Sequence, residues 1–192
     1  PNAAKEDNRE VADVSIKSFS GMSVLHMAAR KGVNDVLSFY CKLGNLDINE
    51  KASGEMNFSP LHFACKFGHL ECVKTLLENG AALDVKDLTE STPLLVVGEY
   101  EPETHDEPHV LHHSLSSKSS IVTVKQTVDV LIAKELLSNG CKVEQTNEHG
   151  DTLLHIASMN GRIDLCIYLV TVSTTLLDLK NDEGKTAMDV AD

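Results

Sequence analysis

The chain has 192 residues, 42% of them hydrophobic but only 4% aromatic and none Trp, so a packed core must rest on Leu, Val, Ala, Ile and Met. Its 29 acids against 17 bases leave a net charge of −12, which argues against nucleic acid or an anionic lipid surface as the main partner. No apolar run approaches the roughly 18 residues of a membrane span, and no signal-peptide pattern opens the chain.

In chain order, a flank over residues 1–17 precedes a short phrase that then recurs: Ser23-Val24-Leu25-His26, Ser59-Pro60-Leu61-His62, Thr92-Pro93-Leu94-Leu95, Thr152-Leu153-Leu154-His155 and a fading Thr186-Ala187-Met188-Asp189. The starts are 36, 33, 60 and 34 residues apart, the spacing of stacked units of which the third carries about 27 extra residues. Each phrase predicts a helix start. Ser or Thr caps the free backbone N–H groups, and Pro60 and Pro93 occupy the first helical position, where a missing N–H costs nothing. Small pairs such as Ala28-Ala29 and Ala64-Cys65 let helices approach closely, and Gly32, Gly68 and Gly161 end the first helix.

A second helix follows through Val36, Leu37, Tyr40 and Cys41 in unit one. It recurs through Leu70, Val73, Leu76 and Leu77 in unit two and through Leu165, Cys166, Tyr168 and Leu169 in unit four, closing at Gly44 and Gly80. An extended phrase comes next, Leu46-Asp47-Ile48-Asn49 and its echoes from Leu83, Val143 and Leu177, and turn-prone stretches such as Asn147-Glu148-His149-Gly150 lead into the next unit. Unit three breaks after Val97 into an acidic, His- and Ser-rich stretch, and helical pattern resumes near Val124 and runs to Leu137.

Helix, turn, helix and hairpin finger, with Ser59-Pro60-Leu61-His62, Ala64, Gly68-His69-Leu70-Glu71 and Leu76-Leu77-Glu78-Asn79-Gly80-Ala81 in unit two, strongly resemble the ankyrin repeat. The resemblance implies an all-α repeat solenoid of stacked helix-turn-helix units with β-hairpin fingers over 18–192. The approximate units are 18–53, 54–86, 87–146 with an insertion near 98–123, 147–180 and a truncated 181–192. A start at Pro1 and an end within the fifth unit suggest a piece of a longer protein.

The recurring His26, His62 and His155 have no repeating nucleophile beside them; the resemblance gives them a structural role, bonding the backbone and hydroxyls around the turn. Gly184-Lys185-Thr186 lacks the earlier glycine of a phosphate-binding loop, where Leu179 stands, and Asn57-Phe58-Ser59 is a formal glycosylation sequon in a tight turn. Five cysteines without a C-x-x-C pair read as reduced core thiols of an intracellular, cytoplasmic protein. His105, His109, His112 and His113 offer a remote zinc-site alternative, opposed by Pro108 and the lack of a nearby cysteine. No catalytic residues, cofactor or metal are expected.

In proteins of the resembled family, partners dock on the finger tips and the ends of the first helices. Those places hold Phe19, Met22, Arg30, Lys31, Met56, Phe58, Lys66, Phe67 and Leu88, and further along Thr89, Ser91, Glu148, His149, Asp151, Met159 and Asn160. Apolar anchors with a basic rim predict a protein-binding patch whose partner offers apolar and acidic side chains. Phe58 and Phe67 also have a plainer alternative, lying against neighbouring units as core. The expected function is non-catalytic protein recognition by the concave face; the alternative is docking onto the protein's own chain or a second copy.

Overall fold

The computed structural model describes residues 16–54, 56–99 and 127–191. Eight α-helices are defined among them: α1 Val24–Lys31, α2 Asn34–Leu43, α3 Pro60–Lys66, α4 Leu70–Glu78, α5 Pro93–Val96, α6 Val128–Ser138, α7 Leu153–Met159 and α8 Ile163–Val172. They form two rows: α1, α3, α5 and α7 pack in succession, and α2, α4, α6 and α8 run beside them. None is long and apolar enough to cross a membrane. The core lies between the rows, with Leu25, Leu37, Leu61, Phe63, Leu76, Leu94, Ile132, Leu136, Leu153 and Leu165 all fully buried. This is the all-α repeat solenoid that the resemblance implies.

The local chemistry explains each start and stop. Ser23, Ser59 and Thr152 close capping boxes with the histidine three residues on, and Pro60 and Pro93 sit in the first helical turn. α1 stops at Gly32 in the left-handed region (φ 69°), whose N–H bonds the Ala28 carbonyl. A second constraint holds that glycine: a β-carbon there would lie 2.5 Å from the His69 ring, which packs across it from the next unit.

Unit three departs from the pattern. Its first helix shortens to the four residues of α5 and tightens into a 3₁₀ turn over Val97–Glu99, on which α6 packs. The insertion and its four histidines lie outside the described residues. In the fifth unit, Asp189 takes the place of the histidine: its carboxylate accepts from the Thr186 N–H and hydroxyl, both at 2.8 Å.

The fingers differ from the expected β-hairpins. No strand is formed among the described residues; a single isolated bridge joins Thr146 and Thr152. The reason is that each finger is closed by a tight turn at its tip rather than by a ladder. Asp87 N–H bonds Ser91 O at 2.9 Å, Asn147 N–H bonds Asp151 O at 3.2 Å and Asn181 N–H bonds Lys185 O at 2.9 Å. The side chains of the same three residues accept backbone N–H bonds across the turn.

Two of the turns are strained, and the third finger shows this at a position that is glycine elsewhere. Glu90 has φ 60° at the position where Gly21, Gly150 and Gly184 stand in other fingers, a conformation unfavourable for a side chain with a β-carbon. Glu90→Gly is therefore expected to raise the melting temperature by about 2–3 °C, the Lys86 ion pair it removes being half-exposed and weak. A fall on thermal denaturation would show that the turn is not strained as described.

Candidate protein-binding surface

The recurring histidines are structural in all three units. His62 Nδ1 accepts from the Ser59 N–H (3.2 Å) and faces the Ser59 hydroxyl (2.8 Å), while Nε2–H donates to the Ser91 carbonyl of the next finger (3.1 Å). His26 repeats this with Ser23 and the Glu50 carbonyl, and His155 with Thr152 and the Lys185 carbonyl. Each ring thus ties a helix cap to the finger that follows, and all three are completely buried. Burial holds His62 down to about 4 and pulls His26 below its ordinary value. Where Leu95 replaces the histidine, Thr92 Oγ1 donates instead to Gln145 Oε1 at 2.8 Å.

The fingers are fastened side by side by a run of backbone bonds. Gly54 N–H donates to Ser20 O, Leu88 to Met56 O, Glu148 to Thr89 O and Asp182 to His149 O, at 2.9–3.0 Å. Five successive tips become one continuous surface. No sequence pattern announces this, because each bond joins residues about one unit apart.

On that surface the structure separates the predicted residues into two groups. Phe19, Met56 and Leu88 stand exposed on three consecutive tips. Arg30, Lys66 and Phe67 lie together at the ends of α1 and α3: the Arg30 guanidinium sits 5.6 Å from the Phe67 ring centre, and Phe67 stacks at 6.4 Å on Phe63. Lys66 reaches over Phe58 at 5.7 Å and pairs with Glu99 at 3.3 Å. Lys31 is exposed on the last turn of α1, and Met22 is half-buried against the core.

Phe58 requires a correction. Expected on the exposed finger, it is 4% exposed, stacked on His62 at 5.3 Å and edge-on to Phe63 at 5.4 Å. The cause is the turn before it: Met56 and Asn57 both take positive φ, and the finger closes late, from Ala52 N–H to Phe58 O, which folds the ring back over α3. Phe58 is core. Phe67 is intermediate, packed against the core at one side and covered by Arg30 at the other.

Three features escaped the sequence reading. His69 Nε2–H donates to the Arg30 carbonyl at 3.0 Å and fixes the end of α1, Glu99 engages Lys66, and strain collects in fingers two and three. Only the last had a visible signal, Glu90 aligned with Gly150 and Gly184.

Two grooves flank the stack. One of about 490 Å³, almost wholly apolar, is lined by Leu154, Ile167, Val170, Leu177 and Met188 beside α8. Among the described residues no group of three or more His, Cys, Asp or Glu side chains converges as a metal site. Cys65 and Cys72 are buried in the core, and burial raises both thiols, Cys72 to about 11, leaving them protonated and unreactive.

Comparison with known proteins agrees with this architecture. An ankyrin and IPT/TIG repeat-containing protein of Schizosaccharomyces pombe is 27% identical over 148 residues, 72% of this chain and 12% of that protein. A transient receptor potential cation channel subfamily A member 1 homolog of Caenorhabditis elegans is 31% identical over 137 residues, 71% of this chain and 9% of the channel. Human ankyrin repeat and SOCS box protein 11 is 32% identical over 136 residues, 69% of this chain and 32% of that protein. The chain thus spans between 9% and 32% of the length of these relatives. Residues 2–87 and 121–191 match the family described as ankyrin repeats in three copies. Stacked helix pairs, capping histidines and this match together establish that the chain belongs to the ankyrin-repeat family.

Proposed function

We propose that this ankyrin stack is a non-catalytic recognition module that binds a protein partner along the face shared by its fingers and first helices. Ankyrin repeats generally act in protein interaction rather than catalysis. The observation that carries the proposal for this chain is the row of exposed Phe19, Met56 and Leu88 on consecutive tips. Beside it lies the Arg30–Phe67–Lys66 strip, and large exposed apolar side chains next to aromatics and cations are what interface anchors are made of. The partner's apolar side chains meet the tips and its carboxylates meet Arg30, Lys31 and Lys66. A reducing, intracellular setting suits the five free thiols.

The double variant Phe67→Ala with Lys66→Glu is expected to weaken partner binding by about 2 kcal/mol or more while the domain stays folded. Calorimetric titration of the partner captured by crosslinking checks this; equal affinity for variant and wild type removes this face from the binding surface.

A self-docking role is favoured by a separate observation. The apolar groove beside α8 and the exposed Val36, Phe39 and Leu43 on α2 lie at opposite ends of the stack, and heterologous contact between such ends joins copies head to tail. Light scattering that reports a monomer at high concentration excludes this.

A further inference from the structure

The tip residues can be compared position by position, because each finger ends at a capping Ser or Thr. Four residues before the cap stand Phe19, Glu55, Leu88, Glu148 and Asp182; three before it stand Ser20, Met56, Thr89, His149 and Glu183. The backbone bonds between tips keep this order in space. Fingers one to three therefore each present one large apolar side chain, exposed by 110%, 45% and 60% for Phe19, Met56 and Leu88, while fingers four and five present Glu148, Asp182 and Glu183.

Three independent observations sharpen this division. Met56 stands at φ 53°, a conformation that disfavours a side chain, and local strain of this kind is retained where the side chain has a use. The last two units are acidic: residues 147–192 hold three Lys and Arg against eight Asp and Glu. Between the last two tips opens a groove of about 470 Å³ in which Met159 and Val190 lie beside Asp151, Asp182, Glu183 and Asp189, with Lys185 of the same lining paired to Glu183 at 2.8 Å. An aliphatic stem with a cationic head, Lys or Arg, matches such a lining.

We infer that the partner is a polarised protein segment, with apolar side chains seated across Phe19, Met56 and Leu88 and Lys or Arg side chains following over Glu148, Asp182 and Glu183. This rests on the recognition surface proposed above and adds composition and direction to it. The carboxylates that meet Arg30 and Lys31 belong to the apolar end of the same segment. The anchors are unevenly spaced, since the Leu88 N–H bonds the Met56 carbonyl directly at 2.9 Å.

The test is selection from a phage-displayed library of random peptides about 30 residues long, enough to cross all five tips whether extended or helical. Enriched peptides are expected to carry spaced apolar residues at one end and Lys or Arg at the other. Their affinity is expected to fall about tenfold or more between 0.05 and 0.5 M salt. The exposed-site variant Glu148→Lys/Asp182→Lys/Glu183→Lys, its fold checked by circular dichroism, is expected to select acidic ends instead. Enriched peptides without a basic end, an unchanged selection by the charge-reversed protein, or no enrichment at all overturns the polarity. The variant Phe19→Ala/Met56→Ala/Leu88→Ala separates the two levels of the proposal. Undiminished enrichment with it overturns the finger surface itself, whereas lost enrichment with no charge preference overturns only the direction.

Discussion

Phe63→Ala is expected to destabilise the protein by about 3–5 kcal/mol, as large aromatic truncations in a closed core do. Phe63 is 1% exposed and lies where two units meet: its ring is edge-on to His26 of unit one at 6.0 Å and stacked on Phe67 at 6.4 Å. The shell around it includes the rings of His26, Phe58 and Phe67, and His26 is held by its bonds to Ser23 and Glu50, so it collapses little into the cavity. In a stack, stability is the sum of units and nearest-neighbour interfaces, and the damage falls on the α1–α3 interface alone. Native-state hydrogen exchange is the measurement of choice. Amides of α1 and α2 are expected to open first while α7 and α8 keep their protection. Uniform loss across all helices would mean that the stack behaves as one cooperative body, contrary to this picture.

Acid is expected to weaken the fold well above the carboxylate range. His62 is neutral and wholly buried in the native protein, with its pKa lowered from 6.5 to about 4 by burial, which the Ser91 carbonyl and Asp87 only partly oppose. The unfolded chain therefore binds a proton that the folded chain refuses. The stability this supplies is complete above pH 6.5 and drains away as pH falls from 6.5 toward 4, by about 3 kcal/mol in all. His26 is shifted in the same direction and adds to the slope. The exposed carboxylates held low, such as Asp189, titrate below this window. Urea unfolding at pH 7.5, 6 and 5 reads the effect. Its midpoint is expected to fall steadily, and a His62→Ala protein, weaker at pH 7.5, is expected to show a shallower dependence. A flat profile between pH 7.5 and 5 would place His62 in contact with water.

Much of the architecture was legible because the repeat writes the same physical instruction several times. A capping hydroxyl, a histidine three residues on and a closing glycine each specify local geometry, and their recurrence at 23, 59 and 152 left little freedom in the helices that followed. The histidines' bonding role was legible for the same reason. The candidate surface was legible only in part. Phe19, Met56 and Leu88 stand exposed where the finger pattern placed them, whereas Phe58 folds inward at the place before the cap that Ser91 and Asp151 also bury in their units, its finger turning through two left-handed residues to close there. Turn closure of that kind depends on the backbone path of a whole loop, which residue spacing does not carry. Likewise Lys66 was legible as a cation at a helix end, but its engagement with Glu99 follows from the shortened first helix of unit three.

The amino-acid sequence by itself determined the unit, its helices and their caps, since these depend on residues within about ten positions of one another. Only the tertiary structure decided which equivalent side chains become core and which remain surface. Met27 and Phe63 occupy the same place in their units; Phe63 is sealed by the unit before it, while Met27, in the first unit, is 42% exposed. The tips of five fingers became one surface in the same way, through bonds between residues about one unit apart. Burial is a property of neighbours. A repeat specifies its own shape, and the stack assigns each copy its neighbours.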